Sequence, residues 1–256
     1  MTQSTTGKGR RTFLHELVLG AMALASAGPV ALLASRSRAE DSSAKTPNGK
    51  EYAFVVDVSK CIGCGYCVEA CAIENNIPKE SVRTWVERYI ATAEGVHVEA
   101  IDKPGKMLAP PPAGLMAKAR WAAFVPKLCN HCENAPCVQV CPVGATFTAP
   151  GGFVLVDPKH CIGCGYCIQA CPYGVRFFNK ETRVADKCTW CYHRVAKGLE
   201  PACVTVCPTQ ARIFGDRNDL TGPVGKIYQS DNWQTLKPEM HSHSRVLYLG
   251  LPREVV

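Results

Sequence analysis

The 256-residue chain lacks the signatures of most enzyme active sites. It has no G-x-G-x-x-G turn for a dinucleotide and no Walker loop for a nucleoside triphosphate. No nucleophile–base pair stands out. The seven histidines are scattered, and His241 and His243 near the tail read as solvated. Aromatic residues make up only 8%, and they do not interleave with basic clusters as a nucleic-acid surface requires. Beyond residue 39 no run is long and apolar enough to span a bilayer. These absences argue against a catalytic role, a direct substrate and a nucleic-acid partner, and any membrane association must come through another subunit.

What the chain has is cysteine. All sixteen fall into four groups of four, and none is left over. The first is Cys61, Cys64, Cys67 and Cys71; the second is Cys129, Cys132, Cys137 and Cys141. The third is Cys161, Cys164, Cys167 and Cys171; the fourth is Cys188, Cys191, Cys203 and Cys207. Groups one and three are complete C-x2-C-x2-C-x3-C runs, the spacing that holds [4Fe–4S] clusters in bacterial ferredoxins. Four groups read as four [4Fe–4S] clusters, and so as an electron carrier.

The spacing has a physical reason. Thiolates two residues apart, with small residues between them, let a tight loop wrap one face of a cubane. Gly63 and Gly65 supply that freedom in group one, and Gly163 and Gly165 in group three. The fourth cysteine points away along a helical turn, and in two-cluster ferredoxins it ligates the other cluster. Pro142, Pro172 and Pro208 follow it in groups two, three and four. Group one has Ala72 there, a departure expected to alter local packing and not ligation. Tyr66 and Tyr166, at equal places in groups one and three, are expected to pack against the clusters and shield them.

Disulfides and zinc compete for this pattern. A chain of this length can bury a core without staples, and cysteines two apart are poorly placed to bridge each other. Zinc uses C-x2-C pairs, and the triple run supplies one thiolate too many for a pair. The spacing therefore favours iron–sulfur, with zinc and disulfide as alternatives. His131, inside group two, reads as a neighbour that hydrogen-bonds near a cluster and not as a ligand.

Residues 1–39 read as a targeting segment. Lys8, Arg10 and Arg11 precede Thr12-Phe13-Leu14, which resembles the twin-arginine signal R-R-x-F-L. No charge occurs from Leu17 to Ser35, and Ser37-Arg38-Ala39 offers a cleavage site. A transmembrane anchor is the competing reading, but Gly20, Gly28 and Pro29 leave the run only mildly apolar, which favours cleavage. The twin-arginine route exports folded proteins, so clusters assembled inside reach a periplasmic location intact. The charge fits this reading. Of the formal +7, residues 1–39 hold a net +4, leaving +3. Four clusters at about −2 each take the holoprotein to about −5.

Groups one and three are near duplicates, KCIGCGYCVEAC and HCIGCGYCIQAC. Groups two and four match at Ala135–Pro142 and Pro201–Pro208. Short apolar strands are expected at Ala53–Val58 and Phe153–Val156 before groups one and three. Others are expected at Ala145–Thr148 and Ala211–Phe214 after groups two and four. Strand, cluster loop, short helix and strand make an α+β fold of two interleaved ferredoxin-like modules over 50–256. An insertion at 73–127 is expected to hold a β-hairpin, with strands at Val82–Tyr89 and Trp121–Val125. Trp85 and Trp121 read as packing residues. The extension 215–256 ends in a strand at Val246–Leu251, expected to wrap a partner or close a sheet edge.

Four groups in this order resemble the iron–sulfur subunits of complex molybdopterin oxidoreductases, over nearly all of residues 50–256. The likeness is nearest to the tetrathionate reductase subunit, on Leu128-Cys129-Asn130-His131-Cys132, Ala185-Asp186-Lys187-Cys188-Thr189, Leu236-Lys237-Pro238-Glu239 and Val246–Leu251. The resemblance implies a non-catalytic wire between a membrane quinol-reacting subunit and a molybdopterin catalytic subunit. A hydrogenase or cytochrome partner, or a zinc-bearing scaffold, are the alternatives. It also implies crossed ligation. Cys61, Cys64 and Cys67 would share a cluster with Cys207, and Cys188, Cys191 and Cys203 one with Cys71. Cys129, Cys132 and Cys137 would pair with Cys171, and Cys161, Cys164 and Cys167 with Cys141. Some relatives carry tryptophan at the place of Cys164 and hold a three-iron cluster; cysteine here implies four cubanes.

Overall fold

A computed structural model describes residues 49–255, so the expected targeting segment at 1–39 lies outside the described residues. The chain is a mix of short strands and short helices strung between the cysteine groups, an α+β arrangement. Strand β1 (Tyr52–Asp57) leads into group one and is buried along almost its whole length. It pairs antiparallel with β9 (Arg212–Asp216), which follows group four, and parallel with β10 (Val246–Leu249). The tail strand thus closes the exposed edge of β1, removing an unpaired ladder from solvent. Between groups two and three lies the hairpin of β5 (Thr146–Ala149) and β6 (Phe153–Val156); between groups three and four lies that of β7 (Arg176–Asn179) and β8 (Val184–Lys187).

The insertion forms a three-stranded antiparallel sheet in the order β3-β2-β4, where the sequence suggested two strands. Its members are β2 (Thr84–Ala91), β3 (Val96–Ile101) and β4 (Trp121–Leu128). The extra strand, β3, does alternate at Val96-His97-Val98-Glu99-Ala100, a short pattern the sequence reading passed over, and it is exposed on all but its last two residues. Trp85 packs half-buried against the main core, with its Nε1–H on Glu87 at 2.7 Å; the half-buried Trp121 bonds Glu254.

Each group contains a short helix that carries its third cysteine, and group four holds a second one before it. Those carrying the third cysteine are α1 (Tyr66–Glu74), α3 (Pro136–Gln139), α4 (Tyr166–Gln169) and α6 (Ala202–Thr205). Helix α1 is nine residues long and the other three have four each. Proline after the fourth cysteine ends the short ones, since it cannot extend an i→i−4 ladder; Ala72 lets α1 run on for most of a further turn. Helix α1 packs on α6, and α3 on α4, so that group one faces group four and group two faces group three. The remaining helices are α2 (Ala113–Ala117), α5 (Tyr192–Val195) and α7 (Pro223–Ser230). No helix among the described residues is long and apolar enough to cross a membrane.

Candidate iron–sulfur centres

The four cysteine groups share one backbone device. The residue before the second cysteine takes a left-handed conformation in every group: Gly63 at φ +67°, His131 at +42°, Gly163 at +70° and Trp190 at +52°. That turn folds the first two thiols toward one space. In groups two, three and four the chain turns left-handed again three residues past the fourth cysteine, at Gly144, Gly174 and Gln210, each N–H returning to that cysteine's carbonyl at 3.3 Å. The repeat seen in the sequence is thus a repeat of backbone geometry.

All sixteen thiols are free, and they gather across groups. One cavity is lined by Cys61, Cys64, Cys67 and Cys207, and a second by Cys129, Cys132, Cys137 and Cys171. Asn75 Nδ2 stands 3.6 Å from Cys71 Sγ and 3.8 Å from Cys191 Sγ, drawing the last cysteine of group one to group four. Cys164 is exposed, with Cys161 and Cys141 half-buried. Among the described residues no three His, Cys, Asp or Glu side chains converge on a single-ion site. The four thiols ring a space instead of a point, which suits a cubane better than one zinc ion.

Burial pushes six of these thiols up: Cys61, Cys71, Cys132, Cys137, Cys188 and Cys203. Cys61 and Cys188 rise to about 11, and Cys132 and Cys203 to about 12. Cys71 rises well above 9.0, first through burial and then through Cys188, Cys203 and Cys191 around it. Cys141 and Cys207 go the other way. Burial raises each, but backbone N–H groups of the turns that follow outweigh it: Thr146, Val143 and Ala145 at Cys141, and Arg212 and Ala211 at Cys207. A buried cluster of thiols becomes thiolate only when cations share the site, and iron supplies them.

The protein side of the cavities is built for anions. Arg212 lines the Cys61 cavity and Arg176 the Cys129 cavity; both are buried, and among the described residues neither has a carboxylate within ion-pair distance. Arg212 Nη1, Arg176 Nη2 and the whole side-chain amide of Asn130 have no hydrogen-bond partner among the described residues. Buried donors are rarely left unmade, and these border cavities that thiolate-held clusters would fill. The residues present therefore fit [4Fe–4S] clusters. The sequence reading missed Arg176, Arg212, Asn130 and Asn75. The first two had a signal, since each stands five residues after a fourth cysteine, at Cys171-Pro-Tyr-Gly-Val-Arg176 and Cys207-Pro-Thr-Gln-Ala-Arg212.

One expectation changes. Tyr66 and Tyr166 are 56% and 59% exposed; Tyr66 does line the Cys61 cavity, as expected, but neither ring is buried deeply enough to shield a centre from solvent. Each begins its helix on the outer face, and the sealing falls to Val86 and Pro126 at the first cavity and to Val154 and Val175 at the second. His131 is fully buried, in keeping with a structural neighbour. Its Nδ1 accepts from Val154 N–H at 3.0 Å, so Nε2 carries the proton and donates to the Cys188 carbonyl at 3.0 Å. Burial, with Lys187 nearby, holds its pKa well below 6.5. His241 and His243 are exposed. The tail also straps group two, through Glu133 N–H to His243 O, Asn134 N–H to Ser242 O and Arg245 N–H to Asn130 O.

Comparison with known proteins places this geometry. Two family profiles, each described as a 4Fe-4S dicluster domain, match residues 60–145 and 120–217. The sequence is 43% identical over 202 residues to the B subunit of tetrathionate reductase from Salmonella typhimurium, covering 78% of this protein and 72% of that one. It is 45% identical over 207 residues to the equally named subunit from Archaeoglobus fulgidus, covering 81% and 86%. The polysulfide reductase counterpart from Wolinella succinogenes is 38% identical over 193 residues, covering 74% and 88%.

Proposed function

Since this protein belongs to the 4Fe-4S iron–sulfur subunits of tetrathionate, thiosulfate, polysulfide and dimethyl sulfoxide reductases, we propose that it is a four-cluster wire in a tetrathionate reductase-like complex. It is a non-catalytic subunit of a reductase complex, as its relatives are named. In this reading it relays electrons between a membrane quinol-reacting subunit and a periplasmic molybdopterin catalytic subunit, and the segment 1–39 takes it there by the twin-arginine route. The functional domain spans 50–256, with the insertion at 73–127 and the extension at 215–256.

The observation that carries the reading is the gathering of thiols from different groups around one space, Cys207 with Cys61, Cys64 and Cys67 above all. The same crossing supports Cys171 with Cys129, Cys132 and Cys137, and Cys71 with Cys188, Cys191 and Cys203. Cys141 remains for Cys161, Cys164 and Cys167, in line with the packing of α3 on α4. Such crossing is what two interleaved ferredoxin modules require, groups one and four in one and groups two and three in the other.

When bound, the clusters supply reversible one-electron storage. The protein's own residues set the order of the sites. Cys203 of group four lies near Cys67 of group one, and Cys188 of group four near Cys129 of group two. The line therefore runs from group one through groups four and two to group three. Its two ends are the exposed loops, with Ile62 and Tyr66 at one and Ile162, Cys164 and Tyr166 at the other. The interior thiols and the buried aromatic core exclude water between them.

Iron and acid-labile sulfide analysis of the anaerobically purified protein tests the reading, with about sixteen of each expected per molecule. Zinc in place of iron overturns it. Cys71→Ser should disturb the cluster held by Cys188, Cys191 and Cys203; loss of the one held by Cys61, Cys64 and Cys67 instead would show the crossing to be wrong. Co-purification with a molybdenum subunit, as against a hydrogenase or a cytochrome, identifies the partner.

A further inference from the structure

Three cations are buried in the described fold without a carboxylate: Arg212, Lys187 and Arg176, at 2%, 1% and 5% exposure. Each donates to neutral oxygens, and Arg176 also reaches the Cys167 sulfur. Arg212 Nη2 donates to Thr84 Oγ1 at 2.8 Å, and Arg176 Nη1 to Thr146 Oγ1 at 3.4 Å. Lys187 Nζ donates to the carbonyls of Val154 and Cys188. One guanidinium N–H group of each arginine stays unpartnered beside a four-thiol cavity. An uncompensated buried charge is costly, and the fold contains three.

Their positions follow a rule. Arg212 faces Cys61 and Cys67 on one side and Cys203 on the other. Lys187 faces Cys188 and Cys137. Arg176 faces Cys129 and Cys137 on one side and Cys167 on the other. Along the order group one, four, two, three, every gap between neighbouring sites holds one buried cation. The two arginines also occupy the same place in the repeat, opening β9 and β7 five residues after a fourth cysteine and each bonded to a threonine.

We propose that these three side chains are positioning charges for electron transfer, each one lowering the repulsion between the two clusters it separates, so that neighbours can hold electrons at the same time. Each cluster takes one electron, its net charge going from about −2 to about −3, and gives it up to the next with no other change. Without a cation in the gap, an electron on one cluster opposes reduction of its neighbour through a medium that screens poorly. A fixed guanidinium between them favours the reduced state of both. Arginine suits two of the gaps because it cannot give up its proton in a protein.

The inference rests on the four-cluster reading, and the two fail separately. If the wild-type protein holds no iron, the reading fails. The inference itself is tested on holoprotein by potentiometric titration followed by electron paramagnetic resonance, with iron and sulfide counted in the same samples. Arg212→Gln should weaken reduction of two clusters at least tenfold, a fall of about 59 mV for a one-electron couple, and leave the other two in place. Magnetic coupling between the two reduced neighbours should appear only at lower potential. Arg212→Lys should stay within about threefold of wild type, because it keeps the charge and loses only the fork. Arg176→Gln and Arg176→Lys should act alike on the cluster pair at the other end. If Arg212→Gln loads fully and titrates as wild type does, the proposal is overturned. So it is if the lysine variant shifts as far as the glutamine one, since shape would then matter and not charge. If both glutamine variants lose clusters, retention of clusters in both lysine variants upholds the role of charge, and loss in them overturns it.

Discussion

His131 lies on Trp190 with ring centroids 4.0 Å apart and planes 20° from parallel. The two residues hold the same place in groups two and four, each just before the second cysteine, and both have positive φ where groups one and three use glycine. A bulky side chain there costs about 1 kcal/mol or more of backbone strain. The stack helps offset it, together with Phe153 against both rings and Phe54 and Phe214 against Trp190. Trp190 Nε1–H also donates to the Cys129 carbonyl at 3.2 Å, while His131 reaches Cys188. Groups two and four are thus cross-tied, each to the backbone of the other's first cysteine.

Replacing His131 by leucine keeps an apolar body but strips the acceptor from Val154 N–H and the donor from Cys188 O. One buried group left unmade costs about 1–3 kcal/mol, and lost stacking about another 1. Holoprotein should therefore melt several degrees lower, with cluster loss beginning at groups two and four. A melting temperature within a degree of wild type would show that the cross-tie carries little.

Glycine in the cluster loop is needed for two reasons that Gly163 and Gly165 of group three separate. At Gly163 φ is +70°, and an added Cβ would sit 2.7 Å from the Arg183 carbonyl oxygen. At Gly165 φ is +79° with nothing within 4 Å. Gly165→Ala should cost about 1 kcal/mol of left-handed strain and leave all iron in place. Gly163→Ala must also displace the β7–β8 turn, so it should lose the iron held by Cys161, Cys164 and Cys167. Equal iron content in the two variants would count against the close approach.

Much of this could be read in the sequence because ligation is written in spacing. The sixteen cysteines, the duplicate loops and the strands beside them need only short-range pattern, and Phe153–Val156 is a strand over those same residues. The strands of the β7–β8 hairpin escaped because four residues each, with one of them carrying Asp186 and Lys187, give no alternation. Arg176 and Arg212 escaped for another reason. A basic residue at the start of a strand normally reads as solvated, and only the packing of one group on another encloses it. Lys187 was part of a quoted motif, yet nothing in its neighbours marks it as buried.

Ala72 has a use that proline would destroy. Because α1 continues past Cys71, Asn75 is placed to cap it, with Nδ2 on the Cys71 carbonyl at 3.0 Å and near two thiols, and Oδ1 accepting from Arg83 at 2.9 Å. Ala72→Pro would match the other three groups in sequence but insert a ring against the carbonyl of Val68. A cost of about 3 kcal/mol is expected, with selective loss of the cluster site that Cys71 shares with group four. Thermal melting and iron content read both effects; a variant as stable as wild type would mean that the extra turn is incidental.

The last residue of α1 gives the contact between groups one and four a pH dependence. Glu74 accepts from His193 at 2.7 Å and from Arg194 at 2.8 Å, on α5 just after Cys191. The His193 hydrogen bond, ahead of modest burial that opposes it and Arg194 that adds to it, holds the carboxyl below its ordinary 4.5. A depressed folded value means that the unfolded state takes up the proton first on acidification. The contribution is therefore complete above about 4.5 and lost as the pH falls through the folded value. The pair is partly exposed, so about 0.5 kcal/mol is expected, or a twofold change in rate. Glu74→Gln should lose its visible cluster absorbance about twice as fast as wild type at pH 7 under anaerobic conditions. The two proteins should converge as the pH drops below 4.5, since other acid-sensitive groups are common to both. A gap that widens on acidification would mean that the carboxylate is not held in its charged form by these partners.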